Sequence, residues 1–79
     1  MALEKLLEDL KNRFTYHAPI TDQAQRYEDI RRIGFALASL MATSCPESRE
    51  LSLAFTNLEQ AIFWANASIS RNEKETENK

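Results

Sequence analysis

The sequence predicts an all-α protein, built as a short N-terminal helix followed by a long antiparallel helical hairpin. Its 79 residues are 43% hydrophobic and 28% charged, with only one Gly and two Pro. So few turn-forming residues argue against an all-β sandwich or barrel and against a disordered low-complexity chain. Apolar residues instead recur at helical spacing in three segments. The length allows one domain, which we expect to span residues 1–71.

The first segment, from Ala2 to Arg13, has the pattern of a short amphipathic helix. Its leucines have the i, i+3, i+4, i+7 spacing of one helical face and are Leu3, Leu6, Leu7 and Leu10. The stretch from Phe14 to Thr21 breaks this period, and Pro19 turns Ala18 away from helical angles. We expect an aromatic loop that either packs onto the body of the protein or forms a binding surface.

The second helix is predicted to begin after Asp22 and to end near Ser44. Asp22 is the predicted N-cap, with Gln25 as its capping-box partner, and Thr21 is the alternative cap. The main apolar stripe of this helix consists of Tyr27, Ile30, Gly34, Leu37 and Met41. A glycine inside a helix costs about 1 kcal/mol relative to alanine. The close approach of another backbone would explain Gly34.

The third helix is predicted to begin in the turn from Ser44 to Glu47 and to run to about Arg71. Ser44 and Glu47 have capping-box spacing, and Pro46 suits a first helical turn. The main apolar stripe consists of Leu51, Ala54, Phe55, Leu58, Ile62, Ala65 and Ile69. The short link makes the second and third helices antiparallel neighbours. Residues 72–79 contain no apolar side chain, and we expect them to form a disordered tail.

The small size of the chain predicts self-association. A domain of this length gains little net stability from its own core, and the usual remedies are disulfides, metals or oligomerisation. The single Cys excludes an intrachain disulfide, and no Cys/His cluster offers a metal site. Apolar residues left outside the hairpin stripes supply the surfaces for oligomerisation. They include Phe35, Leu53, Phe63 and Trp64.

Composition argues against a DNA or RNA polymer ligand, a membrane protein and an enzyme. Ten basic against twelve acidic residues give a net charge of −2, whereas general nucleic-acid binders are basic. No run approaches the roughly 18 apolar residues of a membrane span, and no signal-peptide pattern opens the chain, so we expect a cytoplasmic protein. His17 and Cys45 lie on different elements and no Gly-rich phosphate loop is present. We therefore expect neither catalysis nor a cofactor.

The segment from Lys11 to Arg32 has the composition of an anion-binding surface. It carries five basic and three acidic residues within an acidic chain, together with Phe14, Tyr16, His17 and Tyr27. Aromatic rings stack on bases, and guanidinium groups pair with phosphate. The alternative is that the basic residues only solubilise a helix and that Phe14 and Tyr27 pack in the core.

Four residues retain two interpretations each. Tyr16 either stacks on a ligand or lies at the edge of the core, and Arg31 either reaches a phosphate or pairs with Glu28. Arg71 either complements the dipole at the end of the last helix or meets its symmetry copies in an assembly. Asn66 is either a buried hydrogen-bonding residue or a polar contact in an interface.

An ordered series of fragments gives the sequence a resemblance to a known family. The fragments are Phe14–Pro19, Asp22–Gln23, Arg26–Glu28, Cys45–Pro46, Ser48–Glu50, Ser52–Ala54, Leu58–Glu59 and Phe63–Ala67. Their order and spacing, over roughly residues 13–72, resemble the hairpin domain of small phage anti-defence proteins. Members are the anti-CBASS cyclic-oligonucleotide sponges and the C-terminal part of the Thoeris anti-defence sponges. The Thoeris members carry an additional β-rich domain, so the resemblance is closer to the anti-CBASS sponges.

The resemblance implies a homo-hexameric, non-enzymatic sponge in the host cytoplasm. Such a protein sequesters cyclic dinucleotides such as 3′,3′-cGAMP, and in some members cyclic trinucleotides, without degrading them, and so keeps the CBASS effector inactive. In the dinucleotide pocket between protomers, Tyr16 would stack on a base and Arg31 would contact a phosphate, at a position where the family usually has Lys. Arg71 would line a trinucleotide pocket on a three-fold axis. The alternative function is a structural or protein-interaction hairpin with no nucleotide ligand.

Overall fold

The computed structural model describes residues 2–73 and contains three helices and no strand in that range. Helix α1 spans Leu3–Phe14, α2 spans Gln23–Ser44 and α3 spans Arg49–Asn72. The all-α prediction and the order of a short helix followed by a hairpin are confirmed. The main difference lies at the start of α3, which begins at Arg49 rather than in the turn from Ser44 to Glu47.

Both predicted capping boxes are wrong. Asp22 occupies the N-cap position of α2, but its side chain makes no capping hydrogen bond and instead accepts one from Arg26 Nε at 3.1 Å. The N-cap of α3 is Ser48, whose Oγ accepts from the Leu51 amide at 3.1 Å. Ser48 satisfies an N–H group that the first helical turn leaves without a partner. The link between α2 and α3 is therefore longer than the predicted turn at Ser44.

The helices α2 and α3 form the hairpin and make the extensive helix–helix contact of the described chain. They have 22 and 24 residues, which at 1.5 Å per residue gives lengths of about 33 and 36 Å. Gly34 is buried at the contact. A Cβ atom there would overlap Cδ1 of Ile62 and lie 3.2 Å from its Cγ1. The close approach predicted at Gly34 is present, but it is made by a side chain and not by backbone.

The hairpin has no apolar core of its own within residues 2–73. No apolar side chain in this range is buried, and the buried positions are Gln23 and Gly34. The radius of gyration is 16.7 Å, against about 12 Å for a compact chain of this length. An elongated hairpin of two helices has too little interior to enclose large side chains. The surplus of apolar surface that the sequence predicts is thus present.

The exposed fractions of individual aromatic side chains agree with this surplus of apolar surface. Phe35, Phe63 and Trp64 are large and exposed, as the sequence predicts for residues outside the hairpin stripes. The assignment of Phe14 to the core is wrong, because this last residue of α1 is 85% exposed. Within the described range, α1 makes few contacts with the hairpin, and so nothing covers the Phe14 ring.

Helix α3 extends one residue beyond its predicted end at Arg71. The predicted tail comprises residues 72–79, yet Asn72 ends α3 and Glu73 contacts the beginning of α2. The remainder of that tail, residues 74–79, lies outside the described residues. Between residues 2 and 73, no helix combines the length and the apolar character needed to cross a membrane.

Candidate ligand-binding groove

A groove of about 760 Å³ is lined by the α1–α2 loop, the first half of α2 and the second half of α3. Its volume lies within the range of roughly 300–1,000 Å³ that is usual for ligand pockets. The basic residues that line it are Arg13, Arg31 and Arg71, the ring-bearing residues are Tyr16, His17, Tyr27 and Phe63, and the acidic residue is Glu59. The groove therefore concentrates positive charge in a chain whose net charge is −2. Basic and aromatic lining of this kind suits an anionic ligand with planar rings.

Tyr16 lies in the α1–α2 loop, immediately beyond the point where α1 ends. Thr15, the C-cap of α1, has extended backbone angles and so directs the chain away from the helix axis. The Tyr16 side chain is 83% exposed, although it lines the groove. A ring that the protein leaves this open can stack on a ligand without first leaving a packed site.

Two hydrogen bonds attach the start of this loop to the end of α3. His17 Nε2 lies 2.9 Å from the carbonyl oxygen of Asn12, and because a carbonyl oxygen only accepts, Nε2 is the donor. Asn12 Nδ2 in turn donates to the carbonyl oxygen of Arg71 at 2.9 Å. The loop that carries Tyr16 is thereby connected to α3 through polar contacts rather than through buried apolar side chains.

Arg31 projects into the groove from α2. Its side chain is exposed, and within residues 2–73 it takes part in none of the ion pairs. The pairing with Glu28, which was the alternative interpretation of Arg31, is not what the structure shows. The guanidinium group presents a planar fork of N–H donors that matches the geometry of a phosphate.

Arg71 lies in the last turn of α3 and borders the same groove. Its Cζ atom is 5.8 Å from the centroid of the Trp64 ring, a cation–π distance. Arg71 also lines a second concavity of about 500 Å³, which Tyr16, Gln23 and Glu73 line as well. Tyr16, Arg31 and Arg71 thus border one groove within a single chain, whereas the family resemblance implies a separate pocket for Arg71.

Sequence reasoning missed the wall of the groove that α3 supplies. This wall comprises Glu59, Phe63, Asn66, Ala67 and Ser70. The signal was present in the spacing, because residues separated by three, four or seven positions share one helical face. None of these residues belongs to the predicted apolar stripe of α3.

Two polar atoms bordering the groove have no hydrogen-bond partner among the described residues. They are the Tyr27 hydroxyl and Asn66 Oδ1, and both atoms are buried. The interpretation of Asn66 as a buried residue with its hydrogen bonds satisfied does not fit this arrangement, and the interpretation as an interface contact stays a prediction. A buried polar atom without a partner costs about 1–3 kcal/mol. This part of the groove therefore has unused hydrogen-bonding capacity.

Strong electrostatic contacts involve Gln23 and Glu73, which line the second concavity. Arg26 and Gln23 donate hydrogen bonds to the Glu73 carboxylate, and these bonds, opposed by partial desolvation, lower the pKa of Glu73 to about 2. The same carboxylate raises the pKa of Arg26 above its usual value. Glu73 is consequently a carboxylate and Arg26 a cation over the whole physiological pH range.

The family of the chain was decided by comparison with known proteins. A family model described as Acb2/Tad1, hairpin domain, matches residues 7–70. The chain belongs to this family. No curated protein and no solved structure matches the chain.

Membership of the Acb2/Tad1 hairpin family gives the chain a broad role as an anti-defence sponge. The family is associated with binding cyclic oligonucleotides, and its members are sponges rather than enzymes. The match includes Tyr16, Arg31 and the α3 wall of the groove, and it ends one residue before Arg71. In the described part of the chain, no three His, Cys, Asp or Glu side chains are placed to hold a metal ion.

Proposed function

We propose that this Acb2/Tad1 hairpin sequesters cyclic dinucleotides, such as 3′,3′-cGAMP, and releases them chemically unchanged. By lowering the free messenger in the host cytoplasm, it keeps the CBASS effector inactive. The observation that carries the proposal is that Tyr16 and Arg31, from a loop and from α2, border one groove of about 760 Å³. A stacking ring and a phosphate-binding fork are the two groups that a cyclic dinucleotide requires.

Each side chain has one role in the proposed site. Tyr16 stacks on a base, which its 83% exposure permits. Arg31 meets a phosphate with two parallel N–H donors, which a Lys at this position would replace with a point charge. A cyclic dinucleotide has two bases and two phosphates, so two protomers that share a boundary hold its halves with the same residues.

The proposed assembly is a homo-hexamer. Its support is the lack of any buried apolar side chain within residues 2–73, together with the exposed rings of Phe35, Phe63 and Trp64. Association would remove this surface from water. We further propose that Arg71 from three protomers contacts a cyclic trinucleotide on a three-fold axis, because its guanidinium group lies 5.8 Å from the ring of Trp64, a residue that does not line the groove.

Ligand recovery tests the proposal. The protein is incubated with 3′,3′-cGAMP, free ligand is removed by filtration, and the retained protein is heat-denatured. Chromatography of the released material should show intact ligand. The matched control is a double variant, Tyr16→Ala with Arg31→Ala, which should retain none.

Two other outcomes would each reject sequestration. Fragments of the ligand would identify an enzyme. Failure of the wild-type protein to deplete free ligand would favour the second candidate function, a protein-interaction hairpin that uses the exposed apolar faces of α2 and α3.

A further inference from the structure

The most buried side chain of the described chain is polar and lies next to the loop that carries Tyr16. Gln23 is only 2% exposed, whereas no apolar side chain in residues 2–73 is buried. Its Oε1 accepts from the Ile20 amide at 3.0 Å, and its Nε2 donates to Glu73 Oε1 at 3.1 Å. One side chain therefore connects the end of the α1–α2 loop to the end of α3.

Arg26 completes this connection. Its Nη1 donates to Glu73 Oε2 at 2.7 Å, its Nη2 donates to Glu73 Oε1, and its Nε donates to Asp22 at 3.1 Å. A guanidinium that binds one carboxylate through both terminal nitrogens fixes the relative orientation of the two groups as well as the distance between them. We call Gln23, Arg26 and Glu73 the polar cluster.

We propose that the polar cluster positions the Tyr16 loop against α3, so that Glu73 is a positioning residue for ligand binding; this inference rests on the proposed function. Within the described residues, no apolar side chain of this loop is fully buried. Its two attachments to α3 are the Asn12 bond to the Arg71 carbonyl and the bonds to the Glu73 carboxylate. Removing the second attachment leaves the bonds of Asn12 and His17, at the start of the loop, as its hydrogen-bonded connection to α3.

The effect on affinity follows from the population of the competent loop. If each of the two loops at a symmetric site holds Tyr16 at the groove for only about a third of the time, the apparent dissociation constant rises about tenfold. Arg31 lies on α2 and keeps its position, so the loss is confined to the stacking contact. Glu73 itself does not contact the ligand in this scheme.

The test relies on a variant for which electrostatics and positioning predict opposite changes in affinity. Glu73→Gln in the full-length chain removes one negative charge, which by electrostatics alone should strengthen the binding of an anion. Positioning predicts the opposite, a dissociation constant for 3′,3′-cGAMP about tenfold higher. The matched control is Asp29→Asn, which makes the same charge change at an ion pair with Arg32 outside the groove. The control should bind as tightly as the wild type or slightly tighter.

A second variant and a second readout complete the experiment. Arg26→Lys keeps the net charge but loses the fork, and it should also weaken binding, by less than Glu73→Gln. Amide hydrogen exchange at Ile20 should accelerate in both variants and not in Asp29→Asn, while helicity by circular dichroism stays constant.

Wild-type affinity in Glu73→Gln, or unchanged exchange at Ile20, would overturn the inference. If the wild type binds no cyclic dinucleotide, the proposed function fails, and exchange at Ile20 still decides whether the cluster holds the loop.

Discussion

At the scale of single residues, the groove depends on a few side chains that the chain leaves open. Tyr16 is largely exposed, and Arg31 has no carboxylate partner in the described range. Neither side chain adds to the stability of the folded chain as it would if the ring were packed or the guanidinium were paired with a carboxylate. Substitution of these two side chains and of Arg71 measures what each contributes to binding.

Replacing Tyr16 by Ala should weaken the binding of 3′,3′-cGAMP by about two to four decades. Stacking contributes about 1–3 kcal/mol per base, and a symmetric site loses two such contacts. Tyr16→Phe keeps the ring and should bind nearly as the wild type does. Isothermal titration calorimetry measures both affinities. Equal affinity of Tyr16→Ala and wild type, with the assembly intact, would remove Tyr16 from the site.

Arg31→Ala should also cost binding, through the loss of a charge-assisted hydrogen bond worth about 1.5–3 kcal/mol at each contact. Arg31→Lys is the matched control because it keeps the charge and removes only the planar fork. We expect the Lys variant to retain most of the affinity, as the family resemblance implies. A Lys variant as weak as the Ala variant would show that geometry, rather than charge, decides phosphate binding here.

Arg71→Ala should weaken the binding of cyclic trinucleotides and leave dinucleotide affinity nearly unchanged. Its guanidinium lies 5.8 Å from the Trp64 ring, and Trp64 does not line the groove. Titration of one variant with both ligand types is the measurement. Because Arg71 borders the groove in the structure, an equal loss for both ligands would assign it to the dinucleotide site.

At the scale of helices and loops, the sequence predicted the three helices well and their connections poorly. The leucine spacing of α1 and the stripes of α2 and α3 are local patterns, and local periodicity determines which segments become helical. The capping of α3 by Ser48 and the contacts of Glu73 depend on where the chain goes next. No residue pattern distinguishes Glu73 from the acidic residues of the tail that follows it. The α3 wall at Asn66 could have been found from spacing, whereas its proximity to Tyr16 required the loop conformation.

The contact between Gly34 and Ile62 gives a prediction about the hairpin. Gly34→Ala gains about 1 kcal/mol of helix propensity but forces Ile62 to move, and overpacking costs about 1–3 kcal/mol. The Cγ1 atom would remain 3.2 Å away even if Cδ1 rotated clear. We therefore expect a small net loss in the free energy of unfolding. Adding Ile62→Val should recover part of it, measured as a favourable coupling in a double-mutant cycle in urea.

The pKa of Glu73 predicts how the C-terminal end of the hairpin responds to acid. Folding lowers this pKa from 4.5 to about 2, through hydrogen bonds from Arg26 and Gln23. The contribution of the carboxylate to stability is therefore complete above about pH 4.5 and is lost as the pH falls toward 2. Hydrogen-exchange protection at Ile20, corrected for intrinsic rates, should follow this course in the wild type. In Glu73→Gln the fall over this pH range should be absent.

At the scale of the whole molecule, the exposed apolar faces predict the assembly. Light scattering should give six times the chain mass of 9.1 kDa. Phe35→Glu places a charge on a face where Phe35 is 76% exposed, and it should dissociate the complex. Ser39→Glu, at an exposed position one turn along α2, is the control with the same charge change. A folded monomer of the wild type at micromolar concentration would contradict the assembly.

The lack of buried apolar side chains between residues 2 and 73 also affects the protein concentration that is needed to bind the messenger. When chains become stable only on meeting one another, folding and association form a single mass-action equilibrium. For the proposed hexamer, the concentration of complete binding sites rises with the sixth power of the free chain. Binding capacity is then nearly absent below a threshold of expression and close to stoichiometric above it. At low expression such a protein would leave most of the messenger free. Above the threshold concentration it would bind nearly all of it.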